Sequence, residues 1–235
     1  MSPRKTAGST AHFTPELFKF LRQLDRNNNK PWFEKNKERY LDHVRFPMLR
    51  FIADFGPRLK RISKHHLADP RPHGGSMFRI YRDTRFAKDK RPYKTAATAR
   101  FPHQRGKDVH APGFYIHLGI DGVYAAMGIW HPDGDALAGI RESIAERSKE
   151  WKRILSGKPF KNGLQLGGES LKRPPRGFDP EHPLIEDLKR KDFYAYVELD
   201  EKTACARDFL DRYTDLCRSG RPLLKFLTEA VGLEW

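Results

Sequence analysis

A β-hairpin is predicted by the stretch Gly113-Phe-Tyr-Ile-His-Leu-Gly-Ile-Asp-Gly-Val-Tyr-Ala-Ala-Met-Gly-Ile-Trp130. Asp121-Gly122 is a dipeptide typical of a two-residue hairpin turn, and it predicts that Ile120 pairs with Val123. In the same register His117 lies opposite Ala126, and Tyr124 lies opposite Gly119. Because side chains alternate along a strand, one face of the hairpin is entirely apolar. The other face combines polar aromatic and small side chains, which predicts a floor for a ligand or for another part of the chain.

The sequence around the hairpin predicts helices and further strands. Thr14-Pro15-Glu16 begins a helix that runs to about Asp25, Pro31 begins a second helix, and Pro47 either kinks that helix or begins the next. Strands are predicted at 78–83, 95–101 and 193–199, and helices from Asp133, over 183–191, over 207–218 and over 222–231. We therefore predict an α+β fold with a mostly antiparallel sheet and a central hairpin at about 113–130. Residues 1–12 are predicted to be a disordered lead, and residues 13–235 one domain.

Positive charge is concentrated in the first half of the chain. The net charge of the 235 residues is +15. Residues 1–107 hold 26 Lys and Arg against 9 Asp and Glu, whereas the remainder holds 19 against 21. Such an asymmetry favours an acidic partner, which is a nucleic acid, a phosphorylated metabolite or an anionic membrane surface.

The sequence also indicates the compartment. Cys205 and Cys217 are the two cysteines of the chain and do not make a disulfide framework. No run of eighteen apolar residues predicts a membrane span, and the first twelve residues have no apolar run typical of a signal peptide. We expect a soluble cytoplasmic protein. The oligomeric state and any cofactor are not indicated by the sequence.

Residues 76–94 form the predicted binding segment, with seven cationic and two acidic side chains among aromatic residues. Guanidinium groups keep their protons and match phosphate or carboxylate oxygens with paired hydrogen bonds. We therefore predict a site for a small anionic ligand. Its predicted binding residues are Arg79, Arg82, Arg85, Lys90, Tyr93 and Lys94. The candidates for acid–base chemistry are Asp83, Asp89 and Tyr93, although nothing in the sequence specifies a reaction.

The spacing of the arginines sets a condition on this site. On a regular strand Arg79 and Arg85 share one side and Arg82 takes the other. All three meet one ligand only if the chain turns after Asp83. A structural alternative is an ion-pair lattice in which Asp83 and Asp89 each hold an arginine. Two acids do not neutralise seven cations, which favours the anion site over the lattice.

The segment resembles the signature of a widespread conserved family of unknown function. The resemblance rests on Arg79-x-x-Arg82-Asp83-x-Arg85-Phe86-x-x-Asp89-Lys90-x-Pro92-Tyr93-Lys94. It extends to Asn28 and Trp32-Phe33 near the start, to Ala111-Pro112-Gly113 before the hairpin, and to Pro175-Arg176-Gly177-Phe178. Membership implies no reaction, cofactor or catalytic residue, because the family has none assigned.

Two functional classes follow from these observations. The first is a protein that binds, and in one version acts on, a small phosphate- or carboxylate-bearing ligand over the polar face of the hairpin. The second is a nucleic-acid-binding module in which cations of the N-terminal half contact phosphates and aromatic rings stack on bases. The concentration of charge in one motif with its own acids favours the first.

Other residue patterns are less informative. His131-x-Asp133-x-Asp135 has metal-ligand residue types, but helix capping is the better interpretation of the aspartates, and no metal site is predicted. His117 is interpreted as a hydrogen-bonded sheet histidine. Asn36, Lys37 and Tyr40 are interpreted as the polar edge of a packed helix. The loop and nucleophile motifs of nucleotide hydrolases, dehydrogenases, zinc proteases and esterases do not occur.

Overall fold

The computed structural model describes residues 11–106 and 111–235, and its α+β architecture confirms the prediction. The strands are β1 (Ala96–Pro102), β2 (Gly113–Gly119), β3 (Gly122–Ile129), β4 (Gln165–Gly167) and β5 (Phe193–Leu199). The first helices are α1 (Pro15–Arg26), α2 (Lys30–Lys35), α3 (Lys37–Tyr40) and α4 (Phe46–Ile62), with a π-helical turn at Leu41–Arg45. The later ones are α5 (Gly134–Glu146), α6 (Ser148–Leu155), α7 (Lys158–Lys161), α8 (Ile185–Leu188), α9 (Glu201–Ala204), α10 (Phe209–Ser219) and α11 (Arg221–Ala230).

The strands form one antiparallel sheet in the order β1-β2-β3-β5-β4. The hairpin of β2 and β3 lies at its centre, and its apolar face is buried as predicted. The predicted register is wrong by two residues, because Ile120 and Asp121 form the turn and Gly119 pairs with Gly122. A two-residue shift keeps every side chain on its predicted face.

Side-chain contacts explain the observed register. It places His117 opposite Tyr124, and the two rings stack at 4.5 Å with 10° between their planes. It also brings Asp121 Oδ1 to 2.9 Å from His117 Nε2. In the predicted register His117 faces the methyl group of Ala126, which offers neither contact.

Helices cover one face of the sheet. Phe55 of α4 packs edge-on against Phe101 of β1 at 4.8 Å and against Tyr213 of α10 at 5.0 Å. The N-terminus of α11 approaches β3 so closely that a side chain at Gly220 would collide with Met127. Buried side chains of the helices and of the sheet belong to one hydrophobic cluster. The opposite face of the sheet carries the site.

The N-terminal helices follow the prediction in outline. Residues 30–62 are helical apart from a break at Asn36, and Pro47 lies in the first turn of α4 after the π-helical turn. Tyr40 is buried, and Asn36 donates to the carbonyl of Trp32, which agrees with a packed helix. Residues 1–10 of the predicted lead lie outside the described residues. His12 is buried, and its Nε2 lies 2.9 Å from Asp54 Oδ2, so packing begins before residue 13.

The strand predicted at 78–83 does not form, although its ends pair locally. Phe78 N–H donates to the Thr98 carbonyl of β1, and Arg82 N–H donates to the Pro92 carbonyl. Beyond Arg82 the chain bends, because the carboxylates of Asp83 and Asp89 accept the backbone N–H of the residue two positions later. The segment thus runs along the edge of β1 as an irregular double-stranded loop.

Two features of the second half were not fully predicted. The helix after Asp133 breaks at Arg147 into α5 and α6, although its N-cap is confirmed, since Asp133 accepts from Ala136 N–H. The Gly- and Pro-rich passage 157–177, for which no element was predicted, contains α7 and β4. Cys205 and Cys217 are free thiols. Among residues 11–106 and 111–235, no helix has the length and apolar character needed to cross a membrane.

Candidate functional site

A broad groove lies over the face of the sheet that the helices leave uncovered. We call it the sheet groove. Its volume is about 1180 Å³, and the 76–94 segment forms one wall through Phe78, Arg82 and Lys94. The floor consists of the outward-facing residues of β1, β2, β3 and β5. The groove therefore lies over the polar face of the hairpin, where the sequence predicted a ligand floor.

Strand pairing orders the floor into rows of neighbouring side chains. One row runs Thr98, His117, Tyr124 and Glu198 from β1 to β5. The next runs Arg100, Tyr115, Ala126 and Tyr196. Aromatic and hydrogen-bonding side chains thus occupy every place in these two rows except that of Ala126.

Lys94 is the cation whose surroundings point most directly to a ligand. It is half-buried at the edge of the groove, with Nζ 5.3 Å from the centre of the Phe78 ring. Burial, together with the positive charge of Arg79, lowers the pKa of Lys94. No carboxylate of the described residues lies within ion-pair distance of Lys94 Nζ. Within the part of the chain that the structure describes, its charge therefore has no counterion.

Arg82 and Arg85 have carboxylate partners. Arg85 donates from Nε and Nη2 to Asp83 at 3.0 and 2.7 Å, and this contact lowers the pKa of Asp83 to about 2. Arg82 Nη1 donates to Asp89 at 2.6 Å and lines the groove, whereas Arg79 and Arg85 do not line it. The structure therefore does not bring the three predicted arginines to one point. The pairing agrees with the ion-pair alternative for Arg82 and Arg85.

Asp89 is the centre of the larger ion-pair group. Its Oδ2 accepts from Arg82 and also from Arg91 Nε at 2.9 Å, while Arg91 Nη1 reaches Asp25 at 2.7 Å. Hydrogen bonds from the Arg91 backbone and from both guanidinium groups lower the pKa of Asp89. A carboxylate held in this way is a poor general base, because it binds a proton weakly.

Lys90 and Tyr93 have structural contacts. Lys90 Nζ donates to the Thr84 carbonyl at 3.0 Å, which closes the tip of the loop. Tyr93 is buried and stacks on Phe33 at 4.2 Å. Its backbone exchanges two 3.0 Å hydrogen bonds with the side chain of Asn28, which fixes the loop to the start of α2. Tyr93 also lines the groove.

A hydrogen-bonded cluster occupies the floor around His117. The hydroxyl of Tyr115 lies 3.2 Å from His117 Nδ1, and Asp121 lies at the other ring nitrogen. Burial raises the pKa values of Tyr115 and Tyr124, so both phenols stay protonated at neutral pH. The interpretation of His117 as a hydrogen-bonded sheet histidine is confirmed.

Several lining residues were missed by the sequence reasoning. Tyr194, Tyr196 and Glu198 of β5 and Trp130 at the end of β3 line the groove. The alternation of β5 was visible in the sequence and assigned these three β5 residues to the outward face. Their place beside the hairpin depends on the strand order, which no local pattern encodes.

The described residues also bear on metal binding. In the ranges 11–106 and 111–235 there is no group of three or more His, Cys, Asp or Glu side chains arranged to hold a metal ion. His131, the first residue of the candidate run, has its backbone N–H bound to Asp192 Oδ1 at 2.8 Å. Asp133 caps α5, as described above.

Comparisons with known proteins give a family without an activity. A family model described as "conserved hypothetical protein (DUF2461)" matches residues 16–226. No curated protein matches the chain. The predicted resemblance to a conserved family of unknown function is thereby confirmed.

Proposed function

Because the chain belongs to this family of conserved hypothetical proteins, we propose its function from geometry: it binds a small phosphate- or carboxylate-bearing ligand in the sheet groove. The observation that carries the proposal is Lys94, a half-buried cation at the groove edge with Arg79 nearby and no counterion among residues 11–106 and 111–235. A buried or half-buried charge is costly unless a partner compensates it. An anionic ligand supplies that partner.

The rest of the groove supports a binding role. Arg82, although paired with Asp89, contributes a second cation to the same wall. The floor offers neutral phenols and a threonine hydroxyl for hydrogen bonds to an uncharged part of the ligand. A cytoplasmic location, in which phosphorylated metabolites are abundant, remains part of the proposal.

Calorimetric titration with sodium pyrophosphate tests the anion site. A charge-assisted hydrogen bond contributes about 1.5–3 kcal/mol, so Lys94→Ala should weaken binding at least about tenfold. Lys88→Ala is the matched control, because Lys88 is exposed on the same segment and does not line the groove. It should change the affinity less than about twofold. Equal losses in the two variants, or no binding by the unmodified chain, would contradict the proposal.

A second function is favoured by one observation at the tip of the loop. Phe86 is 96% exposed, and the guanidinium of Arg85 lies 5.9 Å from its ring centre. An exposed ring among cations suits stacking on a base of single-stranded nucleic acid. On this alternative, oligonucleotide affinity falls steeply with salt and also falls in Phe86→Ala. The absence of binding to DNA and RNA at low salt would remove it.

A further inference from the structure

A slot opens in the sheet groove above Ala126. In its row, Ala126 lies between Tyr115 on β2 and Tyr196 on β5. The next outward-facing residue of β3 is Gly128, which pairs with Gly113 on one side and with Tyr194 on the other. The central strand of the floor therefore carries only small residues at two successive outward-facing positions, with Tyr115 on one side and Tyr194 and Tyr196 on the other.

The flanking rings lean away from this strip of small residues. Tyr124 stacks on His117 and so leans from β3 toward β2, and the Tyr115 hydroxyl contacts the same histidine, so the Tyr115 ring points along β2 toward His117. On the other side the Tyr196 hydroxyl reaches Gln165 of β4 at 3.5 Å. The Tyr194 ring lies directly over Gly167 of β4, where an added methyl group would collide with it. Tyr115 on one side, and Tyr194 and Tyr196 on the other, therefore form two aromatic walls that face each other across an open space.

The width of the slot matches one flat ring. Strands β2 and β5 are two strand spacings apart, which is about 10 Å. A ring in contact with both walls needs about 3.5–4 Å on each side, or about 7–8 Å in total. A planar ring therefore fits between the walls.

The charges along the groove fix the direction of such a ligand. Lys94 Nζ lies over Phe78, and the Phe78 ring is 6.3 Å from the ring of Tyr115, so the cation is two ring contacts from the slot wall. Across the sheet from Lys94, Glu198 of β5 lines the groove with a carboxylate. This carboxylate repels a phosphate and accepts hydrogen bonds from ring amino groups.

We infer that the ligand of the sheet groove is a nucleotide, whose base lies in the slot above Ala126 and whose phosphate meets Lys94. This inference rests on the proposed anion site and adds to it a binding place for the aromatic base of the ligand. The same chemistry is offered by a free mononucleotide and by one unit of a single strand. The base of either ligand fits between the two aromatic walls.

The test compares ligands that differ only in the base. AMP, ribose 5-phosphate and a single-stranded tetranucleotide are titrated into the full chain by calorimetry. Base stacking predicts that AMP or the tetranucleotide binds at least about tenfold more tightly than ribose 5-phosphate. Preference for AMP identifies a free nucleotide as the ligand, and binding of the tetranucleotide alone identifies a single strand.

Two variants address the slot itself. Ala126→Leu fills it and should abolish the preference for the base while ribose 5-phosphate still binds. Ala126→Ser is the size-matched control and should keep the preference. Tyr196→Ala removes one wall without intruding into the sheet and should reduce the preference even if Ala126→Leu fails to fold, which circular dichroism detects.

The outcomes separate the two proposals. Equal, Lys94-dependent affinities for AMP and ribose 5-phosphate would overturn the nucleotide inference and leave the anion site intact. Unchanged base preference in both Ala126→Leu and Tyr196→Ala would place the ring elsewhere and overturn the slot. Failure of every phosphate compound to bind would overturn the anion site and the inference together.

Discussion

Lys94 differs from the other cations of the 76–94 segment in its surroundings. Arg82, Arg85 and Arg91 each contact a carboxylate, and Lys90 is held by backbone carbonyls. Exposed pairs of this kind contribute only about 0–1 kcal/mol each to stability, but they neutralise the charge that a ligand would otherwise meet. The positive charge available to a ligand in the groove is therefore that of Lys94 rather than that of Arg82, Arg85 or Arg91.

The charge of Lys94 should make ligand binding sensitive to alkaline pH. Burial and Arg79 lower its pKa below the ordinary value of 10.5, so the ammonium group loses its proton earlier than a surface lysine does. Pyrophosphate affinity should fall as the pH rises through this lowered pKa. Lys94→Arg should keep its affinity over the same range, because a guanidinium stays protonated. Coincident pH profiles of the two proteins, measured by calorimetry, would contradict this assignment.

The residue-scale contacts differ in how far they could be predicted. The hydrogen bonds that Arg85 donates to Asp83 and Arg91 donates to Asp89 join residues two apart, and local turn chemistry predicts such pairs. The contact of Arg91 with Asp25 spans 66 positions and depends on how α1 packs beside the loop. The isolation of Lys94 is equally a tertiary property.

At the scale of elements, the alternation of apolar and polar residues determines the two faces of the hairpin but not its register. Its two faces follow from the order of residues along the chain, and both are as predicted. Its register depends on contacts across the strands, above all between His117 and Tyr124, which favour one of two pairings that have the same faces. The position of β5 beside β3 depends on packing of the distant helices.

A substitution at Gly128 tests how closely β3 packs beside β5. Gly128 has φ of 137°, and an added Cβ would meet the Phe193 carbonyl and the Cα of Tyr194. Gly128→Ala should destabilise the fold by more than about 1–3 kcal/mol, since strain and collision act together. Gly122→Ala is a useful comparison, because Gly122 also has positive φ, yet nothing lies within 4 Å of an added Cβ. Urea unfolding should show the larger loss for Gly128→Ala, and equal losses would contradict the packing argument.

At the scale of the whole molecule, one core joins the helical layer to the sheet and leaves the other face of the sheet open. The sequence predicted the long helices through periodicity, since α1, α4, α10 and α11 each have an apolar stripe. The sequence did not predict the groove as a whole. Its wall, its floor and the lining residues of β5 come from segments that are separate in sequence. One family model spans residues 16–226, which include all of these segments.

Acid stability provides a global prediction through His66. Its ring is buried against Phe114 and Trp235, and burial with the nearby His103 lowers its pKa from 6.5 to about 3. Below pH 6.5 the His66 imidazole is protonated in the unfolded chain but stays neutral in the folded chain. The free energy of unfolding should therefore fall as the pH drops. Between pH 7 and pH 4 this group accounts for a loss of about 3 kcal/mol.

The measurement compares the native chain with His66→Gln. Urea unfolding at pH 7 and at pH 4 should show a larger acid loss in the native chain. His73→Gln, at an exposed histidine, should behave like the native chain. If His66→Gln loses as much stability as the native chain, His66 is not the group responsible.

The central claim is that an anion binds where Lys94 meets the open face of the sheet. Its most direct test is a titration of the ¹⁵N-labelled chain with pyrophosphate, followed through the backbone amide resonances. We expect the shift changes to concentrate on Phe78, Lys94, Thr98 and Tyr115, and to vanish in Lys94→Ala but not in Lys88→Ala. Changes spread over the basic N-terminal helices, or changes that persist in Lys94→Ala, would contradict the account.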